Sequence, residues 1–494
     1  MQPFDLIHRS LTHHKRTNLA VLLGAAVGTA VLTGALLVGD SVRGSLRQLT
    51  LDRLGNIDYA MTSDRYFGED LSASLTKGFE DQELFFVPSI LQTGAAAHAD
   101  TKSLASGVNV IGVDKFFWMF VNYPPPRVPE GREVILNATL AEEIGAKVGD
   151  SVLVRVEKPS YIPRDSALGS RNETVITVRL EVKSILPPKG VGRFGLHPSQ
   201  QFPLIAYLPL PTLQKAMGQK GRANTIFAAR PKSVGQSDEP LEVDLEPHLK
   251  KALKLDDLGL QIRATADGNF YSIESRRLVI DSPLVPALDM VAAKLGARHL
   301  PVFTYLANRI SLSPDEKPSG IPYSTITAID FSKVGGFGRI SLTDGNEAPP
   351  LDAGEIYLNE WAASDLGANP GDPVHVDYYV IGKQNELLIR KHTFRLRGIL
   401  SLSGFAADPN LTPEYPGIEN AKSMFDWVPP FPINLKLIRP RDDAYWKEHR
   451  TTPKAFVSLK TGQKLWSSRF GKLTSVRLAS DTDAKLPPVE DARA

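Results

Sequence analysis

Two short stretches of this sequence hold the residue types of a serine hydrolase. Residues 39–42 read Gly-Asp-Ser-Val and offer Ser41 as a nucleophile, and residues 372–375 read Asp-Pro-Val-His and offer His375 as a base. A serine, a histidine that takes its proton and an aspartate that orients the ring form a chemically sensible set. Ser41, however, directly follows a long apolar run, and His375 falls in a repeated turn. An anchored serine hydrolase is therefore a remote alternative, and we predict no catalytic residue.

Other site chemistries have little support in the sequence. The absence of cysteine excludes a disulfide framework, a thiolate nucleophile and a Cys-ligated metal. His8, His13 and His14 have no matching carboxylate cluster, so we interpret them as a polar interfacial face and not as metal ligands. The phosphate-binding pattern G-x-x-x-x-G-K-[ST] is missing, so any coupled nucleotide hydrolysis belongs to a partner. We predict no cofactor and no metal.

Length and composition describe a folded protein of several domains. A chain of 494 residues is long enough for about two to four domains. The net charge is only +2 and the basic residues are scattered, which argues against the basic stripe of a nucleic-acid-binding protein. With 38 Gly and 37 Pro spread along the chain, short strands and many turns are favoured over long helices.

The N-terminus predicts the compartment. Residues 18–39, NLAVLLGAAVGTAVLTGALLVG, carry no charge and are long enough to span about 30 Å of hydrocarbon. Basic residues precede this run and Asp40 is the first charge after it, so the positive-inside rule places residues 1–17 in the cytoplasm and the rest outside. The alternative, a cleaved signal peptide, usually has an apolar region of about 7–15 residues. We therefore expect an uncleaved single-pass anchor in the bacterial inner membrane, with the bulk of the chain periplasmic.

Residues 40–56 predict a stalk that prolongs the membrane helix. Leu46 and Leu49 recur near helical spacing, and Gly55 is a plausible C-cap. Membrane helix and stalk would then form one rod of roughly 55 Å. Within the span, the small residues Gly24 and Gly28 would let another helix approach closely.

Two later stretches match each other at a constant spacing. One begins at Glu133 (EVILNATLAEEIGAKVGDSVLVRV) and the other at Glu355 (EIYLNEWAASDLGANPGDPVHVDYYV). Each predicts a strand, a short helix, a Gly-containing turn and an alternating strand. A further strand and then a strand–helix unit follow each copy. The identical residues pair Leu136-Asn137 with Leu358-Asn359, Ala141 with Ala363, Gly145-Ala146 with Gly367-Ala368, and Gly149-Asp150 with Gly371-Asp372.

This repeat defines the expected domains. We predict a first subdomain over residues 57–255 with its repeat unit at 133–228, and a second over residues 256–480 with its unit at 355–478. Residues 481–494 form a polar tail. The long irregular stretch from Ala407 to Trp446 and the loop from Tyr161 to Asn172 predict surface loops that contact a partner. Four tryptophans predict buried packing in preference to a ligand platform, at positions Trp361, Trp427, Trp446 and Trp466.

These features together resemble one family. The anchor, the stalk GDSVRGSLRQLTLDRLG and the paired A-EEIGAKVGD-V-V turns are similar to FtsX/MacB-type ABC transporter permeases, with a MacB-like periplasmic domain on the first transmembrane helix. Supporting segments include VNVIGVDKFFW (Val108–Trp118), GRFGLHPSQQFP (Gly192–Pro203) and IPYSTITAID (Ile321–Asp330). The resemblance implies an α+β periplasmic module of two subdomains that carries out no chemistry of its own.

The resemblance also implies partners. Such permeases pair with a second permease subunit and a separate cytoplasmic ABC ATPase, and the periplasmic part transmits motion and contacts a substrate or a periplasmic partner during export. Family members carry three further transmembrane helices after the module, which this sequence lacks. We expect the N-terminal part of a longer permease. The alternatives are a stand-alone derivative or, in another class, a single-pass envelope scaffold or adhesin without transport.

Overall fold

The structure is a computed structural model. It describes residues 3–121, 123–159, 175–197, 201–230, 243–264, 270–314, 320–384, 386–415, 417–429 and 431–480. The chain forms two compact units. The first takes in residues up to 64, 72–156 and 177–244, and the second takes in residues 65–71, 157–176 and those from 245 onwards. The boundary expected after residue 255 therefore stays a prediction, because the second unit also includes an early segment.

The N-terminal part is helical. Helix α1 (Pro3–His13) is followed by the 40-residue helix α2 (Lys15–Leu54), which ends at the C-cap Gly55. Among the described residues, α2 is the one helix that is long and apolar enough to cross a membrane, with a mean hydropathy of 2.2 in its most apolar window. None of that window is buried, as expected for a helix whose apolar side chains face lipid.

The first unit is built around a closed sheet. Its elements are β1 (Tyr59–Gly68), α3 (Asp70–Gly78), β2 (Phe85–His98), β3 (Leu104–Val113), β4 (Glu133–Asn137), α4 (Ala138–Ile144), β5 (Ser151–Glu157), β6 (Val175–Leu186), β7 (Ile205–Pro209), α5 (Leu210–Met217) and β8 (Arg222–Ala229). The strand order is β1-β8-β2-β3-β7-β4-β6-β5, and an additional pairing of β2 with β5 closes six strands into a barrel. A core of aromatic rings, including Phe117, Tyr207 and Phe227, lies against one face of this sheet.

The second unit contains a barrel of the same kind. Its elements are α6 (Glu246–Ala252), β9 (Leu260–Ala264), β10 (Phe270–Ser275), β11 (Ile280–Asp281), α7 (Val285–Lys294), β12 (Ala297–Ser311), β13 (Ile321–Ile329), β14 (Glu355–Asn359), α8 (Glu360–Leu366), β15 (Pro373–Ile381), β16 (Leu387–Leu400), α9 (Pro440–His449), β17 (Ala455–Ser458), α10 (Leu459–Trp466), β18 (Gly471–Leu473) and β19 (Ser475–Ser480). The strand order is β13-β17-β14-β16-β15-β12-β19-β10-β9, and β13 also pairs with β12, which closes six strands.

The two barrels correspond strand by strand. Strands β2, β3, β7, β4, β6 and β5 of the first match β12, β13, β17, β14, β16 and β15 of the second. Even a local irregularity is repeated: the register of β4 on β6 shifts between Val134 and Ile135, and that of β14 on β16 shifts between Ile356 and Tyr357. The predicted β-rich module of two related subdomains is therefore confirmed.

The repeat extends further than the sequence predicted. The hairpins β2–β3 and β12–β13 are also equivalent, although their sequences differ. Pro88 of β2 and Pro301 of β12 occupy the same position, opposite the last strand of each unit. Asp114 and Asp330 follow the second strand of each hairpin, and each carboxylate accepts a hydrogen bond from the backbone two residues on. These two pairs are the only signals that link the hairpins.

The repeated Leu-Asn pair is explained by a buried hydrogen-bond centre. The side-chain oxygen of Asn137 caps α4 by accepting from the Leu140 N–H at 3.1 Å, and it also accepts from the Ile205 N–H at 3.0 Å. The amide group donates to the carbonyls of Gly192 at 2.9 Å and Pro203 at 2.7 Å. One fully buried side chain thus joins a helix start to a neighbouring strand and loop.

Asn359 has the equivalent role in the second unit. Its oxygen caps α8 through the Ala362 N–H at 2.8 Å, and its amide group donates to the Tyr445 hydroxyl and the Pro453 carbonyl. The repeated Gly-Asp turn is structural as well, since Gly149 and Gly371 have φ angles of +93° and +101° that favour glycine. The identities shared by the two copies therefore build the barrels and do not form a chemical site.

Replacing the buried amide tests this explanation. Asn359→Ala removes the helix cap and leaves buried backbone groups without partners, so the free energy of unfolding of the chain in detergent should fall by about 2–4 kcal/mol. Asn369→Ala is the matched control, because Asn369 is exposed and its side-chain amide makes one long hydrogen bond of 3.5 Å. Urea unfolding that shows equal losses for both variants would contradict the assignment.

Candidate functional site

The stalk enters the first barrel without a flexible linker. Helix α2 ends at Gly55, whose φ angle is +65°, and β1 begins only four residues later. In between, the Asn56 N–H donates to the Phe120 carbonyl at 2.8 Å and the Asp58 N–H donates to the Ala228 carbonyl at 2.9 Å. A Cβ at Gly55 would lie 2.6 Å from the Phe120 oxygen, so the close approach depends on glycine. The backbone itself therefore fixes the helix end to the first unit.

Side chains of the last helical turn add to this connection. The Asp52 carboxylate accepts from the Gly190 N–H at 3.1 Å, at the start of a 3-10 turn over Gly190–Arg193. Leu54 and Ile57 pack against the aromatic core of the first unit. We name this region the stalk joint and define it as Asp52, Leu54, Gly55, Asn56, Ile57 and Asp58 with Phe120, Gly190 and Ala228. Polar and apolar contacts thus hold the end of the helix from several directions.

A cleft of about 700 Å³ opens in the same unit, close to the helix end. We name it the basic cleft, because Arg53, Arg193 and His197 line it and no acidic residue does in the described part of the chain. The Arg193 guanidinium lies 4.4 Å from the ring centroid of Phe202, and its buried Nε has no hydrogen-bond partner. The other walls of the basic cleft combine polar and apolar side chains, among them Thr93, Asn109, Asn224, Leu91, Leu196 and Leu204. Such a lining suits a ligand that carries both negative charge and apolar surface.

The second unit differs from the first by a long insertion between β16 and β17. The prediction of an extended surface loop from residue 407 to 446 is wrong for much of this segment. Tyr415, Ile418, Met424, Trp427 and Phe431 are all buried against the second core. Apolar side chains at this density bury enough surface to hold an irregular segment in place without regular strands. The other predicted loop, residues 161–172, lies outside the described residues.

The tryptophans pack as predicted. Trp427 and Trp446 meet edge-to-face with ring centroids 4.9 Å apart, and Trp466 stacks on Tyr305 at 5.5 Å. All three indoles are 5% exposed or less. Trp361, which is partly buried, lies 4.7 Å from the ring of Tyr445. The four indoles thus serve packing.

A buried lysine lies beside this aromatic packing. The Lys454 ammonium is 4.6 Å from the ring centroids of both Trp361 and Tyr445, and the residue is 4% exposed. Burial lowers the pKa of Lys454 to about 8, and the nearby Asp442 carboxylate opposes that shift. The adjoining cavity holds only about 30 Å³, room for a single water-sized molecule, so we interpret Lys454 as a packed structural residue.

The carboxylates of Glu274, Glu414 and Glu419 lie near one another beside the insertion between β16 and β17. The Glu274 carboxylate is 1% exposed and accepts from the Arg263 guanidinium at 2.6 Å. Burial raises the pKa of Glu274, and the charge of Arg263 opposes that effect. Burial, together with the neighbouring Glu414 carboxylate, also raises the pKa of Glu419 to about 7. The raised pKa of Glu419 predicts that the stability of the second unit depends on pH near neutrality.

The residues considered for hydrolysis lie in ordinary structural settings. Ser41 is an exposed residue inside α2, and His375 lies within β15 with its Nδ1 at 2.9 Å from the Thr393 hydroxyl of the paired strand. Neither follows the carboxyl end of a strand. His8, His13 and His14 are exposed residues at or near the junction of α1 and α2. No group of three metal-ligating side chains occurs in the described part of the chain.

Comparison with known proteins matches the N-terminal part of the chain. Residues 19–239 fit the family model of the MacB-like periplasmic core domain. The resemblance to FtsX/MacB-type permeases is therefore confirmed, and the matched segment runs from the apolar helix through the stalk joint and the first barrel. One apolar helix followed by a domain of this type fits a single-pass membrane protein.

Solved structures show weaker likenesses. The periplasmic region of MacB from Actinobacillus actinomycetemcomitans is 13% identical, with a TM-score of 0.23 over 37% of this chain and 79% of that one. A domain assigned to a permease protein from Porphyromonas gingivalis is 13% identical, with a TM-score of 0.24 over 39% of this chain and 73% of that one. Likenesses at this level carry no argument below. No curated protein matches the sequence.

The contacts that hold the stalk to the first unit were not predicted from the sequence. Gly55 was predicted as a helix cap, but its close approach to Phe120 joins residues 65 positions apart. Gly190 and Asp52, which share a hydrogen bond, are farther apart still in the sequence. A helical C-cap glycine followed at once by a strand pattern was the one available signal for a rigid entry into the barrel.

A single methyl group at the stalk joint tests its rigidity. Gly55→Ala should lower the free energy of unfolding of the core domain by about 1–3 kcal/mol, because alanine disfavours the positive φ and its Cβ would push against the Phe120 carbonyl. Gly44→Ala in the same helix is the control, since no atom lies within 4 Å of a Cβ there and alanine is the better helix former. If both variants unfold at the wild-type urea concentration, the proposed close contact is absent in solution.

The buried carboxylate predicts a pH dependence in the second unit. The pKa of Glu419 is raised from 4.5 to about 7 on folding, so the contribution of its neutral form is present below pH 4.5 and is lost as the pH rises through 7. With Glu419→Gln, the loss of stability between pH 5 and pH 8 should shrink by about 1–2 kcal/mol, after allowance for solvent screening. Chemical unfolding at both pH values measures this. Glu347→Gln, at an exposed position, should leave the pH dependence unchanged.

Proposed function

We propose that this chain is the N-terminal part of an ABC transporter permease subunit. Its first residues lie in the cytoplasm, α2 crosses the bacterial inner membrane, and both barrels lie in the periplasm, where they transmit motion and contact a substrate or partner during export. A separate cytoplasmic ATPase subunit supplies the energy, and a second permease subunit completes the complex. The chain itself carries out no chemistry. The match of residues 19–239 to the family model of the MacB-like periplasmic core domain supports this proposal.

The unbroken helix α2 is the observation that carries the mechanical part of the proposal. It continues for 15 residues beyond the apolar span that ends at Gly39, which corresponds to about 22 Å of stalk. Because the stalk joint has no slack, rotation or tilt of the helix in the membrane would turn the first barrel with it. A loose tether would need a flexible segment between helix and barrel, and the backbone contacts of Asn56 and Asp58 exclude one there.

The proposed direction of coupling follows from where the two ends of the helix lie. An ATPase acting on the cytoplasmic side changes the position of the membrane helices, and α2 carries that change outward as a rigid body. Each barrel by itself is then a stiff body, because its six strands are closed and expose few edges. Mechanical transmission requires that both the helix α2 and the barrels be stiff.

A helix break in the stalk tests this mechanism. Ser41→Pro should disrupt α2 between membrane and barrel, because proline removes a helical hydrogen bond and clashes with the preceding turn. We expect the protein, expressed from its own gene in its host, to co-purify from membranes with an ATPase subunit. Adding ATP and vanadate in nanodiscs should then change hydrogen exchange in β2 and β3 of the wild type but not of Ser41→Pro.

Ser41→Ala is the matched control. It keeps the helix and removes the hydroxyl, so its exchange response should equal that of the wild type. An equal response in Ser41→Pro would refute rigid transmission through the stalk. Failure to recover any ATPase subunit would instead count against the transporter assignment and favour an envelope scaffold.

A further inference from the structure

The sheet of the second unit ends at β9 (Leu260–Ala264). Within the described part of the chain, β9 pairs with β10 on one side and with no strand on the other. An unpaired strand edge presents main-chain N–H and C=O groups in the pattern that another extended polypeptide recognises. We therefore ask which groups of β9 are available and what could reach them.

The ladder between β9 and β10 shows which main-chain groups face the unpaired side. Just beyond its end, the Arg276 N–H donates to the Gly259 carbonyl at 3.0 Å. Hydrogen-bonded pairs alternate with non-hydrogen-bonded pairs in an antiparallel ladder. Gln261 and Arg263 lie two and four residues after Gly259, so their main-chain groups bond to β10. The residues next to them in β9 direct their main-chain groups the other way.

Leu260, Ile262 and Ala264 thus direct main-chain groups toward the unpaired side. The Leu260 N–H agrees with this direction, because it donates to the Leu255 carbonyl at 2.9 Å and not to β10. Among the described residues, no main-chain partner occurs for the Ile262 N–H and C=O or for the Ala264 N–H. These three groups fit one more antiparallel strand.

A cleft of about 600 Å³ lies beside this edge. Four consecutive residues of β9, 260–263, line the cleft, as do residues 254–256 and Glu414 of the insertion between β16 and β17. All of these residues belong to the second unit. Because the edge is one wall among several, a single extended chain reaches it more readily than the edge of a second folded sheet does. The cleft therefore favours an extended segment of polypeptide over a second copy of this sheet.

The side chains of β9 indicate the chemistry of the added strand. Residues that lie opposite each other in neighbouring strands share one face of the sheet. Ile262 is 9% exposed and belongs to the second core, so an apolar residue fits opposite it. On the other face, Arg263 lines the cleft, and an acidic residue fits near it. Strand β10 already has this pattern, since Ile273 lies opposite Ile262 and Glu274 binds Arg263 at 2.6 Å.

We propose that the free edge of β9 binds an extended segment of a partner polypeptide as an additional antiparallel strand. The main-chain groups of Ile262 and Ala264 supply the hydrogen bonds. The segment places an apolar residue opposite Ile262 and an acidic residue directly after it, as β10 does. The proposal refines the partner contact in the proposed function, and its test contains no ATPase, so its failure leaves the transport assignment standing.

The test uses a peptide that copies β10. The probe is FYSIES, residues 270–275, blocked at both ends and labelled with a fluorophore, and it is titrated by anisotropy against the full chain in detergent. We expect saturable binding. A methyl group on the peptide nitrogen of Ile273 removes the N–H that faces the Ile262 carbonyl, so it should weaken binding at least tenfold.

Methylation of the peptide nitrogen of Glu274 is the matched control. In the added strand this N–H points away from β9, so the affinity should not change. The same pair of peptides distinguishes strand addition from replacement of the protein's own β10. A peptide in the place of β10 would bond to Gln261 through its Glu274 nitrogen, and the two methylated peptides would then exchange their effects.

A substitution in β9 tests the edge from the side of the protein. Ala264→Pro removes the N–H on the unpaired side and should weaken binding about tenfold, whereas Ala264→Ser keeps the N–H and should not. Ala264 is exposed and its N–H makes no ladder bond, so proline is compatible with the fold at this edge. In the wild type, the saturating peptide should slow hydrogen exchange of the Ile262 amide at least tenfold, and that of the Gln261 amide should stay unchanged.

Four results would overturn the proposal. The first is the absence of saturable binding, and the second is a loss of affinity with the Glu274-methylated peptide instead of the Ile273-methylated one. The third is an Ile262 amide that exchanges at the same rate with and without peptide. The fourth is a concentration-dependent dimer of the chain that Ala264→Pro abolishes, which would identify a second copy as the occupant. Thermal unfolding checks the fold of each variant, and the methylated peptides decide the outcome should Ala264→Pro not fold.

Discussion

The backbone hydrogen bonds of Asn56 and Asp58 hold the end of the long helix to the first unit, and the proposed function depends on them. A helix end leaves carbonyl groups without partners, and a chain that departs from it usually passes through a mobile turn. Here the turn is four residues long, and two of its N–H groups donate to carbonyls of the first unit, at Phe120 and at Ala228 of β8. Gly55 makes this possible, since a side chain would collide with the Phe120 carbonyl. Backbone hydrogen bonds therefore join the end of the helix to the first unit.

The two barrels show how a duplicated scaffold acquires different surfaces. The residues that both copies share cap helices, shape tight turns or fill the core, as Asn137 and Asn359 do. Function is then found where the copies differ. The second copy carries a buried insertion with several charged groups, and the first keeps the basic cleft close to the stalk. The two copies therefore share a scaffold and differ in their surfaces.

The sequence predicted the regular parts well, because local rules govern them. Apolar length identified the helix, and the constant spacing of Gly-Asp and Leu-Asn pairs identified the repeated strand–helix–strand units. The hairpins escaped detection because strand residues tolerate many substitutions, so only Pro88 with Pro301 and Asp114 with Asp330 mark them. Closure of each barrel depends on pairings between distant strands that no local pattern encodes. The burial of Tyr415, Ile418 and Trp427 in the insertion also depends on tertiary packing, and the proline content of the segment misled the prediction.

Neither the stalk joint nor the basic cleft could be predicted residue by residue. Both form from segments far apart in the sequence, and arginines such as Arg53 and Arg193 look like ordinary surface charges until the fold places them together. What the sequence did supply was the family resemblance and the expectation of a rigid rod, and both agree with the structure.

Hydrogen exchange of two amides tests the central claim most directly. The Asn56 and Asp58 amides donate to carbonyls of the first unit, so in the intact protein they should exchange about as slowly as the amides shared by β2 and β3. Exchange at the rate of an unstructured linker would show that the helix end is free, and the account of a stalk that moves with the barrel would then be wrong.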